Sequence, residues 1–380
     1  MKAIPFKRIT SLFVLIVLLT TTTRCGLVAS LGRNPHGDAL ARLDTLPNYK
    51  NGAFRNLVTF ERDTINRANR AATTGVRRGG FSMLKSMINR PKETKPMMPV
   101  PFVKTDLKLP ACDKPTIVWF GHSSVLIKTN QGNILIDPIF SGNAGPLPFF
   151  MKAFKGATDY KVADMPPIDI LIISHDHYDH LDYRTVRKLR KKVKMVVVPI
   201  GVGSHFRYWG YDPRKITELN WHQSVQLPGG IKITATPAHH RSNRTFVQNK
   251  ALWASYVINA SNHQMFYSGD GGYGPHIKDI GRRYGPFHLA LLECGQYNTN
   301  WSQSHMHPTQ TAQAVVDLQA RMILPVHWAK FAEAYHPWSE PVRLLLPAAE
   351  KLGINVNIPR IGEPYTLGGP AKKTIWWNFE

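Results

Sequence analysis

The stretch Ile173–Asp182, ISHDHYDHLD, sets three histidines and three aspartates at the end of an apolar run that begins at Ile168. A run of that length reads as a strand buried on both faces. Ionisable side chains at the end of a buried strand have a rigid base, so the fold must bring partners for them to the same edge. His175 and His177 are two residues apart, so in extended chain they leave one face and can share one ion. Asp179 and His180 fall where the chain must turn, and can aim at a second point nearby. Imidazole with carboxylate suits zinc, with iron or manganese as further options.

One loop does not close two metal sites, and further ligand types follow at later strand ends. TPAHH places His239 and His240 beyond one apolar strand, YSGDGG places Asp270 beyond another, and LPVHW places His327 beyond a third. Any one of these alone reads as a structural residue; their shared position after apolar strands is what carries weight.

The strands themselves fall into two series. TIVWF, SVLIKT, NILIDP, IDILIIS and MVVVP come first. IKITATP, LWASYVI (252–258), QMFYSGD, HLALLEC and RMILPVH follow. Helices are expected at YRTVRKLRKKVK (183–194), TQTAQAVVDLQ and PVRLLLPAAEKLG. Hairpins early and strand–helix alternation later describe a mixed α/β (α+β) chain with two packed sheets and helices outside. The two series could be diverged halves.

Ahead of this body, three segments are expected: 1–25 as a signal or anchor, 26–110 as a basic extension and linker, and 111–380 as the working domain. Lys2, Lys7 and Arg8 precede the apolar run Leu12–Leu19, which is too short to span a membrane and reads as an export signal. Cys25 suits a lipoprotein site, but Arg24 stands where a small residue is needed, and Val28-Ala29-Ser30 offers an ordinary cleavage point. ANRAATTGVRRGG and NRPKETKPMMPVPF read as poorly packed chain and a proline-rich linker. Cys112 and Cys294 could pair in an oxidising compartment or remain buried thiols.

The formal net charge is +23, and residues 1–25 hold four basic and no acidic groups, so +19 remains without them. Such a field favours an anionic membrane surface, an anionic substrate or nucleic acid. Export argues against intracellular nucleic-acid processing. The basic cluster Arg184, Arg187, Lys188, Arg190, Lys191, Lys192 and Lys194 reads first as a solvated helix face, with lipid contact as a second use.

HDHYDH resembles the H-x-H-x-D-H signature of the metallo-β-lactamase superfamily, and the later His, Asp and His arrive in that family's order. The likeness covers roughly residues 100–365. It implies a four-layer αββα sandwich with a dinuclear metal site at one edge. WFGHSSVLIKTNQGNILIDPIFS, TPAHHRSNRTF, LWASYVI, YSGDGGYGPHIKDIGRRYGPFHLALLECGQY and LPVHWAKF resemble a narrower branch, the N-acyl-phosphatidylethanolamine-hydrolysing phospholipase D enzymes and their bacterial relatives. YKNGAFRNL (49–57) is similar to the lead-in segment of those relatives.

The resemblance implies that His175, His177 and His240 hold one Zn2+ and that Asp179, His180 and His327 hold the other, with Asp270 bridging. In the T-P-x-x-H motif the ligand is the last residue, hence His240 rather than His239. The implied activity is phosphodiester hydrolysis of phospholipase D type through a hydroxide shared by the two ions, with Asp179 and Asp270 in the catalytic centre. His305 falls where the family has a histidine near the metals, and is expected to handle substrate or a proton. His307 is expected to cap the helix at Pro308, and His122 to support the site. The expected partners are a phospholipid or other anionic ester and an anionic membrane surface, in the cell envelope or periplasm. The alternative is a lactone or β-lactam hydrolase of the same fold, because fold does not fix substrate.

Overall fold

The computed structural model describes residues 26–57, 91–110, 113–244 and 247–378. The 1–25 segment with Cys25, the stretch ANRAATTGVRRGG and Cys112 lie outside the described residues. So does any pairing of Cys112 with Cys294, which is itself buried.

Strands are numbered in chain order. A small hairpin, β1 (Tyr49–Lys50) and β2 (Ala53–Phe54), precedes the body. The first sheet takes β3 (Thr116–Trp119), β4 (Val125–Thr129), β5 (Gly132–Ile136), β6 (Ile168–Ile172), β7 (Val193–Pro199) and β8 (Ile216–Leu219). The second takes β9 (Ser224–Gln226), β10 (Lys232–Thr236), β11 (Ser255–Ala260), β12 (His263–Tyr267), β13 (Leu289–Glu293), β14 (Met322–Val326) and β15 (Asn355–Val356). The last strand, β16 (Pro364–Thr366), returns to pair with β3, giving seven strands in each sheet.

The two sheets follow one plan. From β16 to β5 the neighbours are antiparallel, and from β5 to β8 they are parallel. From β9 to β12 they are antiparallel, and from β12 to β15 parallel. Matching topology in the two sheets fits the diverged halves read from the strand series.

Alternation along the strands decides which core each side chain enters. Ile117, Ile127, Ile134, Ile136, Ile170 and Ile172 of the first sheet share one buried cluster with Ile233, Ile258, Met265 and Leu291 of the second. The opposite face of the first sheet sends Val118, Leu126, Leu135, Leu171, Val196 and Val198 into a cluster with Val186, Leu189 and Phe206 of its helices. The helices Pro275–Tyr284, Pro308–Asp317 and Glu340–Lys351 cover the second sheet through Ile277, Val315, Val342 and Leu345. Helix, sheet, sheet and helix layers follow from that division, which is the αββα architecture. Among the described residues, no helix is long and apolar enough to cross a membrane.

Two element boundaries differ from the sequence reading. The helix after the histidine loop spans Tyr183–Leu189 rather than continuing to 194, because Val193 already pairs with Ile168 in the sheet. Lys192 donates to the Met165 carbonyl and Lys194 to Asp169 Oδ1, so part of the basic run is spent on the sheet edge. Leu252–Ala254, read as strand, lies before β11. The Leu252 amide donates to Ile200 and the Ala254 amide to Ser174, so this segment ties its sheet to loops of the other.

Residues 26–57 are packed, not loose. The Arg244 guanidinium, itself buried, donates to the Ser30 carbonyl from Nε (3.1 Å) and Nη2 (2.8 Å). Trp209 Nε1 donates to Ala29 O, and the Phe54 amide to Asn249 O. Tyr49 and Phe54 bury their rings edge to face at 4.9 Å across the Asn51-Gly52 turn, where both residues have positive φ as a tight hairpin requires. Of the proline-rich stretch, the described part includes buried Val100, whose amide donates to Lys155 O.

Candidate metal centre

Each site residue stands just past a strand of the sandwich: Asp137 after β5, the histidine loop after β6, His239 and His240 after β10, Asp270 after β12 and His327 after β14. The loop turns sharply at His177, whose carbonyl accepts the amides of His180 (3.2 Å) and Leu181 (2.8 Å). That turn sends His175 and His177 one way and Asp179 and His180 the other. His327 has a φ of 68° and locks to the β3–β4 loop, its amide bonding His122 O at 2.9 Å.

The ligand atoms converge into groups whose members lie within 4.8 Å of one another. His175, His177, His240 and Asp270 form one, and His122, Asp179, His180 and His327 another. A third overlaps them: Asp270, Glu293, His305 and His327. The structure therefore brings together all seven residues read as ligands. Asp270 Oδ2 stands between the first two groups, 3.1 Å from His180 Nε2, 3.3 Å from His327 Nε2, 3.8 Å from His175 Nε2 and 3.9 Å from His240 Nε2.

Outer partners take the other ring nitrogens. His180 Nδ1 meets Asp137 Oδ2 at 2.7 Å, His175 Nδ1 meets Ser174 Oγ at 3.0 Å, and His327 Nδ1 meets Ser123 Oγ at 3.3 Å. His240 Nδ1 donates to Ser304 O at 3.1 Å. Such partners set tautomer and ring direction, leaving Nε2 pointed inward. His175, His180 and His327 Nε2 and Asp270 Oδ1 are buried with no hydrogen-bond partner. Orphaned buried polar atoms are costly, so four of them around one basin fit a bound cation.

The electrostatics agree. Burial, reinforced by neighbouring histidines, holds His175, His240 and His327 well below the usual imidazole range, so their lone pairs are free for a metal. Burial likewise lowers His177 to about 4. Burial also disfavours charge on His180, but the carboxylates of Asp270, Asp179 and Asp137 outweigh it and hold a proton there. That proton stands where cationic charge is wanted.

The neighbouring histidines separate cleanly. His240 enters the basin, its Nε2 3.3 Å from His177 Nδ1, whereas His239 turns away to bond the Gln303 carbonyl through Nδ1 at 2.8 Å. His305 reaches the basin as expected, its ring stacked on His327 at 5.0 Å. His307 accepts from the Thr309 amide at the N-terminus of the helix Pro308–Asp317, the capping role read from the sequence. His122 supports the site as expected, its Nε2 2.9 Å from Asp179 Oδ2.

Five contributors escaped the sequence reading. Asp137 receives Ser174, Tyr267 and His180 on one buried carboxylate. Ser123 and Ser174 hold rings by their hydroxyls. Glu293, fully buried in β13, meets His305 Nδ1 at 2.7 Å and accepts the Met306 amide. Asn56, from the N-terminal segment, clasps the backbone of His240: Nδ2 donates to His240 O at 2.9 Å and Oδ1 accepts its amide at 3.1 Å. Asp137 ends an apolar strand in ILIDP, as the recognised ligands do, and Glu293 is the one acid in an apolar run. Those were the available signals.

Residues 132–328 match the model of the "Beta-lactamase superfamily domain", more than half of the chain. This chain is a member of the metallo-β-lactamase superfamily. An uncharacterised protein of Mycobacterium tuberculosis is 35% identical over 337 residues, 88% of each chain. The mitochondrial N-acyl-phosphatidylethanolamine-hydrolysing phospholipase D of Saccharomyces cerevisiae is 34% identical over 252 residues, 61% of this chain and 51% of that one. This chain thus spans about half of the yeast enzyme's length. Among solved structures, the Igni18 metallo-hydrolase of Ignicoccus hospitalis superposes with a TM-score of 0.54 at 20% identity, over 68% of this chain and all of that one, which shows the shared fold. Fold, family and the convergent His/Asp groups make this member a metal-dependent hydrolase.

The clasp on His240 gives a direct expectation. Removing a partner that orients a metal ligand costs about 10–100-fold in metal affinity or activity. Asn56→Ala should therefore weaken metal retention by about tenfold or more. Competition with a graded chelator measures this, and wild-type retention would show that the N-terminal segment is not part of the site.

Proposed function

We propose that this hydrolase is a zinc phosphodiesterase of phospholipase D type, cutting N-acylated phosphatidylethanolamine or a closely related phospholipid. The observation that carries the reading is Asp270 Oδ2, set between two groups of inward-facing imidazoles. His175, His177 and His240 would hold one cation, Asp179, His180 and His327 the other, and Asp270 both. Two such ions would lower the pKa of a shared water and offset the charge building on the phosphoryl oxygens. No side-chain nucleophile is then needed.

The chain's own groups do the rest. Asp137 and Ser174 fix the rings of His180 and His175, and Ser123 fixes His327. Burial pushes the Glu293 carboxyl well above its usual range. In that protonated form its hydroxyl donates to His305 Nδ1, so the ring keeps its hydrogen on Nε2 and presents a donor to an anionic phosphoryl oxygen.

Support for a lipid substrate comes from the name of the yeast relative and from the net charge of +23, which would concentrate anionic lipid. The export signal read in residues 1–25 supports a place in the cell envelope, beside membrane. Phospholipase D chemistry cuts on the alcohol side of phosphorus, giving phosphatidic acid and an N-acylethanolamine. In oxygen-18 water, label should enter the phosphate of the phosphatidic acid. Label in a fatty acid would show acyl-ester cleavage, and faster turnover of lactones than of any phosphodiester would replace the proposal with its alternative.

A further inference from the structure

Between Asp137 and Asp159 the chain carries no acidic residue and makes an excursion, SGNAGPLPFFMKAFKG, that the hydrolytic centre does not use. Its two limbs pair: the Ala144 amide donates to Met151 O and the Ala153 amide to Gly142 O, both at 3.0 Å, and Asn143 bridges Lys152. The result is a short hairpin with Gly145–Phe150 at its tip. Asn143 Nδ2 stiffens that tip from inside by donating to the carbonyls of Gly145 (3.1 Å) and Leu147 (3.0 Å).

The base of the hairpin is seated beside the metal centre. Ala144 packs in a buried cluster with Ile139 and Phe331, against which Met151 and Ala153 also rest. The Phe331 ring lies 5.2 Å from that of His122, which in turn contacts Asp179. At the other end, Phe149 is 69% exposed and Phe150 40%. A single exposed apolar residue needs no explanation. Two adjacent phenylalanines on a braced tip are different, because most of the Phe149 ring and two fifths of Phe150 stand in water side by side.

Cations stand on the hairpin's returning limb and on the helix that contacts its base. Lys152 and Lys155 are exposed on the returning limb, and Arg184 reaches across from the helix Tyr183–Leu189 to bond Asn143 Oδ1 at 2.9 Å. Arg187 and Lys188 are exposed on that same helix. Aromatic side chains inserted at the headgroup–acyl boundary, with basic side chains toward anionic headgroups, are the chemistry of an interfacial anchor.

We propose that the hairpin Gly142–Ala153 is a membrane-docking element that inserts Phe149 and Phe150 into an anionic phospholipid surface and holds the metal centre against it. The inference rests on the lipid-phosphodiesterase reading for its purpose, but its evidence is separate. It makes the substrate a molecule within a bilayer rather than one free in solution.

The test is binding of the full chain to vesicles of phosphatidylglycerol and phosphatidylcholine, and of phosphatidylcholine alone. The soluble diester bis(p-nitrophenyl) phosphate reports on the centre. Wild type should bind the anionic vesicles more tightly than the neutral ones. Phe149→Ser/Phe150→Ser should weaken that binding at least about tenfold, as loss of two buried aromatic side chains demands. Phe149→Trp/Phe150→Trp should restore it, and hydrolysis of the soluble diester should be unchanged in both. If neither protein cleaves the diester yet the vesicle result holds, the proposed activity falls and the docking surface stands. Equal vesicle binding by wild type and the serine variant overturns the proposal. So does a parallel loss of soluble-diester hydrolysis, which would make the hairpin a support of the centre instead.

Discussion

Asp270→Ala is expected to lower the rate by about 1,000-fold and to leave the protein unable to keep both metal ions. Metal stabilisation of transition-state charge is worth several kcal/mol, and each 1.4 kcal/mol is tenfold. Oδ2 of this residue lies within 3.9 Å of imidazole nitrogens from both groups. Its loss therefore removes a shared ligand and the negative charge that would hold two cations close together. Misfolding is not the expected cause. Burial raises the Asp270 carboxyl from 3.8 to about 6 in the metal-free protein, so between those values the folded state binds the proton more tightly than the unfolded one. The group's own contribution to stability then falls as pH rises through that window, while its carboxylate also helps hold the proton on His180. Thermal unfolding of metal-free wild type and Asp270→Ala should show a cooperative transition in both. Rates per folded protein would then report the site alone, and a fully active Asp270→Ala protein would end the dinuclear assignment.

The second large effect separates two adjacent histidines. His240→Ala should lose metal from the group it shares with His175, His177 and Asp270, and with it nearly all activity, because only two imidazoles and a carboxylate shared with the other group then remain for that ion. His239→Ala should keep most of its metal, since that ring is held by the Gln303 carbonyl outside the basin. Metal analysis of both variants after identical dialysis checks this. The reverse order would mean that the ligand motif is shifted by one residue from the family register.

What could be read ahead of the structure was local. HDHYDH is contiguous, and Asp270, His240 and His327 each follow an apolar strand of recognisable length, so residue type and place were visible together. The sandwich was legible for the same reason, because its central strands are continuous apolar runs. The edges were not: β8 is partly exposed along most of its length and β9 is three residues of mixed exposure, so neither carries a burial signature. Contacts between distant positions were hidden as well. Asp137 reaches His180 across 43 residues and Asn56 reaches His240 across 184, and no periodicity records such pairings. The N-terminal segment was read as loose because its strands are two residues each. It is held by side chains of the body, such as Arg244, that the segment's own composition does not reveal.

The most direct measurement is the metal content of the wild-type protein, saturated with zinc, dialysed against metal-free buffer and counted by mass spectrometry beside Asp270→Ala. Two convergent ligand groups sharing one carboxylate predict close to two ions per chain in the wild type and a clear deficit in the variant. A wild-type content of one ion or none, or an unchanged pair in Asp270→Ala, would contradict the account.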